Sequence, residues 1–280
     1  MPLLHAILLG LTQGLSEFLP ISSSGHLLLV PWLFGWDDFT GEGGKDLEKA
    51  FDVALHIGTV VALLAYFRRD LGPLGRAGLR SARRRRTETK DERLFWLLLL
   101  SAVPGAVSGA LLDGVITEYL GAEWLIGLML VVFGIVLLLA DRLPATRAAS
   151  GFTTRDAVLM GVAQAVALQP GVSRSGATMS MARWLRFDRD ATARLSFLMS
   201  VPITGGAVAY KVGKLFLLEG GIPEGFAGAF AVGIVTSGLS GFVAVAFLIK
   251  LLRTRTFAPF VAYRVVAGLA VAALAASSLR

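Results

Sequence analysis

An apolar segment interrupted by proline and serine occurs twice in this chain, as GLTQGLSEFLPISSSGH over residues 10–26 and as GVAQAVALQPGVSRSGAT over residues 161–178. At an offset of about 151 positions, Gly10 aligns with Gly161, Gln13 with Gln164, Ser22 with Ser173, Ser24 with Ser175 and Gly25 with Gly176. Pro20 aligns with Pro170 after a one-residue slip. The surroundings are strongly apolar: 55% of residues are hydrophobic, 17% are charged and the mean hydropathy is +0.68, as in a membrane protein. In lipid, a broken helix strands backbone N–H and C=O groups, so a break is tolerated only where protein or a watery cavity satisfies them. Paired breaks in corresponding halves point to a binding site.

Six apolar stretches are long enough to cross a hydrocarbon core, which takes roughly 17–25 helical residues. They cover residues 51–67, 94–112, 124–140, 193–217, 226–249 and 259–277. The pieces 3–15 with 25–34, and 157–168 with 177–185, are too short to cross alone. Each pair reads as a re-entrant helical hairpin with the Pro/Ser segment at its tip. The expected fold is an all-α polytopic membrane protein, one integral domain over residues 1–280, with internal repeats at about 1–141 and 156–280. No basic n-region precedes the first apolar stretch, so it is expected to stay in the mature chain.

Charge placement gives a second view of the topology. The segment from Arg68 to Arg93 is expected to be a loop and carries Arg68, Arg69, Arg76, Arg80, Arg83, Arg84, Arg85, Arg86, Lys90 and Arg93, which places it in the cytoplasm. Alternation then puts the basic segments 142–155, 183–194 and 250–255 inside as well. The expected outside segments are acidic: Asp37, Asp38, Glu42, Asp46 and Glu48, then Asp113, Glu118 and Glu123, then Glu219 and Glu224. Lys211 and Lys214 run against the rule, although long side chains reach the interface. With three spans between them, the hairpins enter from opposite sides, an inverted-topology repeat with both termini outside the cytoplasm. The arginine run reads as an anchor beside anionic lipid and not as a nucleic-acid site.

The chemistry-bearing residues gather at the two tips. Gln13 and Glu17, four apart, share a helix face and are followed by Ser22, Ser23, Ser24 and His26. In the second copy Ser173, Arg174, Ser175 and Thr178 surround the break. Ionisable groups inside a membrane are costly, so Glu17, His26 and Arg174 need partners. A bland account pairs Glu17 with Arg174 and uses the serines as caps. It leaves the hydroxyl cluster, the histidine and two converging half-helix N-termini unexplained. Helix N-termini, a guanidinium fork and hydroxyls together suit phosphate, and a serine near a His or Glu base can attack phosphorus. The chain has no cysteine and three histidines, which excludes thiolate chemistry and disfavours a multi-histidine metal centre.

At this point the motifs resemble a known family. QGLSEFLPISSSGH fits the (E/Q)-x-x-x-E plus serine-rich segment, and PGVSRSGAT the PGxSRSxxT segment, of undecaprenyl-diphosphate phosphatases of the bacitracin-resistance type. FDVALHIGT at 51–59, FLMSVPITGGA at 197–207 and TFAPFVAYRVVAG at 256–268 extend the resemblance over essentially the whole chain. It implies hydrolysis of undecaprenyl diphosphate to the monophosphate carrier of cell-wall glycans, in a bacterial cytoplasmic membrane. It further implies Ser23 as nucleophile, His26 and Glu17 in proton transfer or phosphate handling, and Arg174 as the diphosphate clamp. Gln13, Ser22, Ser24, Ser173, Ser175 and Thr178 become substrate contacts. A divalent cation, Mg²⁺ or Ca²⁺, is implied by the resemblance alone, with Glu17 as its candidate ligand; Gln13 is a neutral amide and a poorer one. Partners are the lipid diphosphate and membrane lipid, with a homodimer left open. The rival reading is an alternating-access transporter or flippase, since inverted repeats with broken helices also build carriers. His56 and Arg264 lie in or near spans and could line the cavity; His56 is read as packing more than chemistry, and Arg264 as sitting with Tyr263 near the inner interface.

Overall fold

The computed structural model describes residues 1–40, 44–218 and 221–277. Glu42 and Glu219 of the acidic segments lie outside the described residues, as do the side chains of Asp113 and Glu118. The helices in chain order are α1 (Leu3–Phe18), α2 (Ser23–Phe34), α3 (Gly44–Tyr66), α4 (Arg68–Arg84), α5 (Lys90–Tyr119), α6 (Glu123–Asp141), α7 (Thr154–Val166), α8 (Arg174–Trp184), α9 (Arg189–Leu218), α10 (Ala227–Leu252) and α11 (Ala258–Ala276). Among the described residues there is no strand beyond one isolated bridge between Arg147 and Phe187. Six of these helices, α3, α5, α6, α9, α10 and α11, are long and apolar enough to cross a membrane, in agreement with the six stretches read from sequence. Large apolar side chains such as Leu111, Val235, Leu239 and Val266 are exposed around them, as a lipid-facing surface requires.

Local chemistry sets where the short helices begin and end. Pro20 forces the residue before it out of the helical region, and Leu19 is extended at φ −68°, ψ 142°, closing α1. At the start of α7, the Thr153 hydroxyl accepts the Asp156 N–H while the Asp156 carboxylate accepts the Thr153 N–H, a reciprocal cap. The segment expected as a basic loop instead forms helix α4. Leu74, Ala77, Gly78 and Ser81 recur at helical spacing and are buried against α5, where Trp96 Nε1 donates to Ser81 Oγ at 3.0 Å; the arginines take the other face.

The packing has a paired character. Helix α1 packs against α10, and α7, its counterpart in the second copy, packs against α5. Helix α6 crosses α11 at Gly127 and Gly268; a Cβ on Gly268 would stand 2.5 Å from Gly127 O, so only glycine permits this approach. Phe18 at the end of α1 meets Phe197 of α9 edge-on at 5.6 Å in the main apolar core.

At the basic ends of the helices, ion pairs join the elements. Asp141 accepts from Arg189 Nε at 2.7 Å and from Phe257 N at 3.1 Å, and Arg194 pairs with Asp70 at 2.5 Å. Arg147 grips Asp156 with both terminal nitrogens, at 3.0 and 2.5 Å. Donating to the Asp156 carboxylate keeps the pKa of the Arg147 guanidinium above its ordinary value. Burial pushes the Asp156 carboxyl up, but hydrogen bonds from Arg147 and Thr153 outweigh it and hold the group below the usual carboxylate range.

Candidate active site

The two broken segments lie against each other. Gly171 N donates to Ser22 Oγ at 3.1 Å, and Ser175 Oγ donates to Leu19 O at 3.0 Å. Both Ser22 and Ser173, aligned in the sequence repeat, sit at positive φ, 80° and 74°. This backbone region costs a residue bearing a Cβ about 1–3 kcal/mol, and it recurs where function over-determines the backbone. The two serines use their hydroxyls differently. Ser173 Oγ accepts Gly176 N–H at 3.1 Å and caps its own helix, whereas Ser22 Oγ reaches the other tip.

Glu17 is the hub. It is 6% exposed, and its Oε1 accepts Arg174 Nη2 at 2.9 Å. Its Oε2 accepts Ser23 Oγ–H at 2.6 Å and Gln13 Nε2 at 3.3 Å. Arg174, at the first turn of α8, keeps a second nitrogen, Nη1, buried without a partner among the described residues. The structure thus brings together Gln13, Glu17 and Ser23 from the first copy and Arg174 from the second. A serine hydroxyl, a carboxylate that can take its proton and a guanidinium with a free donor face one another at a helix N-terminus.

The other expected site residues stand around this cluster. His26 turns away from Ser23: Nδ1 bonds Ser22 O at 2.6 Å and Nε2 bonds the Tyr263 hydroxyl at 2.6 Å. Ser24 is exposed in the first turn of α2. Ser173 and Ser175 share a 3.1 Å hydrogen bond between their hydroxyls. Thr178 is fully buried one turn into α8, bonded to Arg174 O at 2.8 Å and to Ser196 Oγ at 2.6 Å.

Two residues read in the sequence as no more than packing or cavity lining belong to this region. His56 of α3 places Nε2 3.7 Å from Glu17 Oε2 while its Nδ1 bonds Asp52 O at 2.7 Å. Arg264 is not at an interface: it is fully buried and donates to Pro20 O in one tip and to Gly171 O and Val172 O in the other. An arginine inside an apolar stretch was the available signal for it.

The donor set does not fit a divalent ion held by protein. Mg²⁺ and Ca²⁺ take about six to eight oxygens, and a site built by protein includes free carboxylates among them. Both Glu17 oxygens are already engaged with Arg174, Ser23 and Gln13, and no group of three or more His, Cys, Asp or Glu side chains forms a candidate metal cluster among the described residues.

Comparison with known proteins agrees with this geometry. Residues 6–270 match the family model described as Bacitracin resistance protein BacA. A protein of Pelobacter propionicus named undecaprenyl-diphosphatase is 46% identical, covering 97% of this chain and 96% of its own. Proteins of the same name from Pelotomaculum thermopropionicum, 46% identical, and Geobacter sulfurreducens, 44% identical, cover 99% and 98% of this chain and 98% of their own in each case. With the match running through both tips and into the last of the six long helices, the chain belongs to the BacA family of bacitracin resistance proteins.

Proposed function

We propose that this chain is an undecaprenyl-diphosphate phosphatase, a phosphoric anhydride hydrolase of the bacterial cytoplasmic membrane. The observation that carries the reading to residues is the Ser23 hydroxyl on Glu17 Oε2 at 2.6 Å, with Arg174 on the other oxygen of that carboxylate at 2.9 Å. Ser23 Oγ attacks the terminal phosphorus, and the bond from phosphorus to the bridging oxygen breaks. The serine proton passes by way of Glu17 to the departing undecaprenyl phosphate. Arg174 holds the transferred group with its open Nη1. In the second step Glu17 takes a proton from water as the water oxygen attacks the phosphoserine. The carboxyl then returns that proton to Ser23 Oγ as inorganic phosphate leaves.

Gln13 orients the base, and His26 fixes the Ser22 carbonyl just before the nucleophile. Ser22 and Ser175 join the tips, and Ser173 caps α8 and bonds Ser175; Ser24 and Thr178 are assigned to the phosphate's surroundings. A divalent cation, were one needed, would come with the substrate and would help neutralise the diphosphate charge, since the described side chains at the tips offer it no cage.

The pairs α1–α2 and α7–α8 are re-entrant hairpins of an inverted repeat, the first dipping from outside and the second from the cytoplasm, with both termini outside. Support comes from the exchanged packing of α1 on α10 and α7 on α5, and from the basic ends drawn together by ion pairs. Phosphate release by the purified chain in detergent, where transport has no meaning, tests the reading. Wild type should turn over, and Ser23→Ala should not while still binding the lipid diphosphate. Equal turnover in both would remove Ser23 as nucleophile, and no release from wild type would leave the carrier standing.

A further inference from the structure

Among the described residues Arg264 is the largest fully buried side chain, and its partners there are all main-chain carbonyls. Nη1 donates to Pro20 O at 3.0 Å, and Nη2 to Gly171 O at 2.8 Å and Val172 O at 3.1 Å; Nε donates to Leu130 O of α6 at 3.1 Å. We infer that Arg264 is a positioning residue for the reaction: one guanidinium, anchored on α6, holds both tips and so sets the spacing between Ser23 and Arg174. The inference rests on the phosphatase reading of those tips.

The argument is geometric. Pro20 precedes the nucleophile by three residues, and Gly171 and Val172 precede the clamp by three and two. In a planar trans peptide the carbonyl and the following N–H point opposite ways, so capturing these carbonyls from one point orients the peptides leading into α2 and α8. It also supplies what the positive φ of Ser22 and Ser173 requires, a surrounding structure that over-determines the backbone. The direct bonds between tips, Ser22 with Gly171 and Ser175 with Leu19, do not involve Arg264. Removing the guanidinium therefore leaves the tips adjacent but free to shift against each other. Lysine cannot substitute, because its single ammonium cannot span carbonyls on two tips and a third helix.

The test uses Arg264→Lys and, as a second variant, Gly134→Ala. A Cβ on Gly134 would stand 3.2 Å from Arg264 Cβ and 3.6 Å from its Nε, crowding the side chain from α6 without touching either tip. Phosphate release is measured per folded molecule in detergent, with thermal unfolding alongside. Arg264→Lys should lose about 10²-fold in kcat, the scale of an ångström-sized misplacement, with KM changed less than about threefold. Gly134→Ala should lose severalfold. A residue with a purely structural role would lower the folded fraction and leave kcat per folded molecule at the wild-type value. That result in Arg264→Lys, or in Gly134→Ala should the lysine variant not fold, overturns the proposal. Spin labels on Leu28→Cys and Val166→Cys, both exposed positions, read the spacing of the two hairpins without activity. Their distance distribution should broaden in both variants, and an unchanged distribution overturns the proposal as well. If the wild type releases no phosphate, the phosphatase reading falls and the label distances alone decide for Arg264.

Discussion

Replacing Arg174 by lysine keeps a positive charge at the tip and removes the planar fork. In the wild type Nη2 holds Glu17 Oε1 at 2.9 Å while Nη1 stays buried and open, so one nitrogen serves the base and the other is ready for a phosphate oxygen. A lysine ammonium is one compact point and serves only one of them well. The loss is about one preorganised charged donor in the transition state, worth about 2.7–4 kcal/mol or 10²–10³-fold in turnover. Folding should suffer far less, because Glu17, 6% exposed, keeps a counter-charge. Arg174→Ala is a different perturbation. It strands the buried carboxylate, and breaking a buried pair from one side costs about 3–5 kcal/mol. The assay is phosphate release from the lipid diphosphate by purified variants, normalised to folded protein from thermal unfolding. Wild-type turnover in Arg174→Lys would refute the clamp; simple unfolding of both variants would reduce Arg174 to a structural ion pair.

Two further outcomes are expected. In this cysteine-free chain, a cysteine at Asp38 should react with an impermeant thiol reagent in intact cells and one at Arg84 should not; the reverse pattern would invert the topology. Asp156 is held below the ordinary carboxylate range, so its pairing with Arg147 adds stability above that range and loses it as pH falls through the folded-state value. Thermal unfolding of the wild type should therefore fall more steeply on acidification than that of Asp156→Asn, and parallel acid profiles would exclude the pair as its source.

The tips were legible in the sequence because the chain states them twice. Repetition marked Gln13, Ser22, Ser173 and Ser175, and the cost of charge in lipid marked Glu17 and Arg174. Span lengths followed from hydropathy, which registers long apolar helices well. Helix α4 was missed because its six arginines masked a short apolar face that packing against α5 completes. His56 and Arg264 were visible as cavity-lining candidates, but their partners were not: these lie 39 and up to 244 positions away, at Glu17 and Pro20, and no local spacing encodes such meetings. Likewise, proximity in sequence suggested that His26 serves Ser23, but its ring is drawn to Tyr263, 237 positions away.

Ser22 and Ser173 also set a limit on how this protein can be hardened. Each keeps a Cβ where glycine would rest at ease, so heat-selected libraries have a downhill route to glycine at both codons. That route discards the hydroxyls that receive the Gly171 and Gly176 amides, unfastening one tip from its neighbour and uncapping α8. The relief of backbone strain is thus set against a lost cap and a lost bond between the tips, and a variant selected for heat there gives up the alignment that turnover needs. A robust catalyst from this chain must be sought with those two codons held fixed.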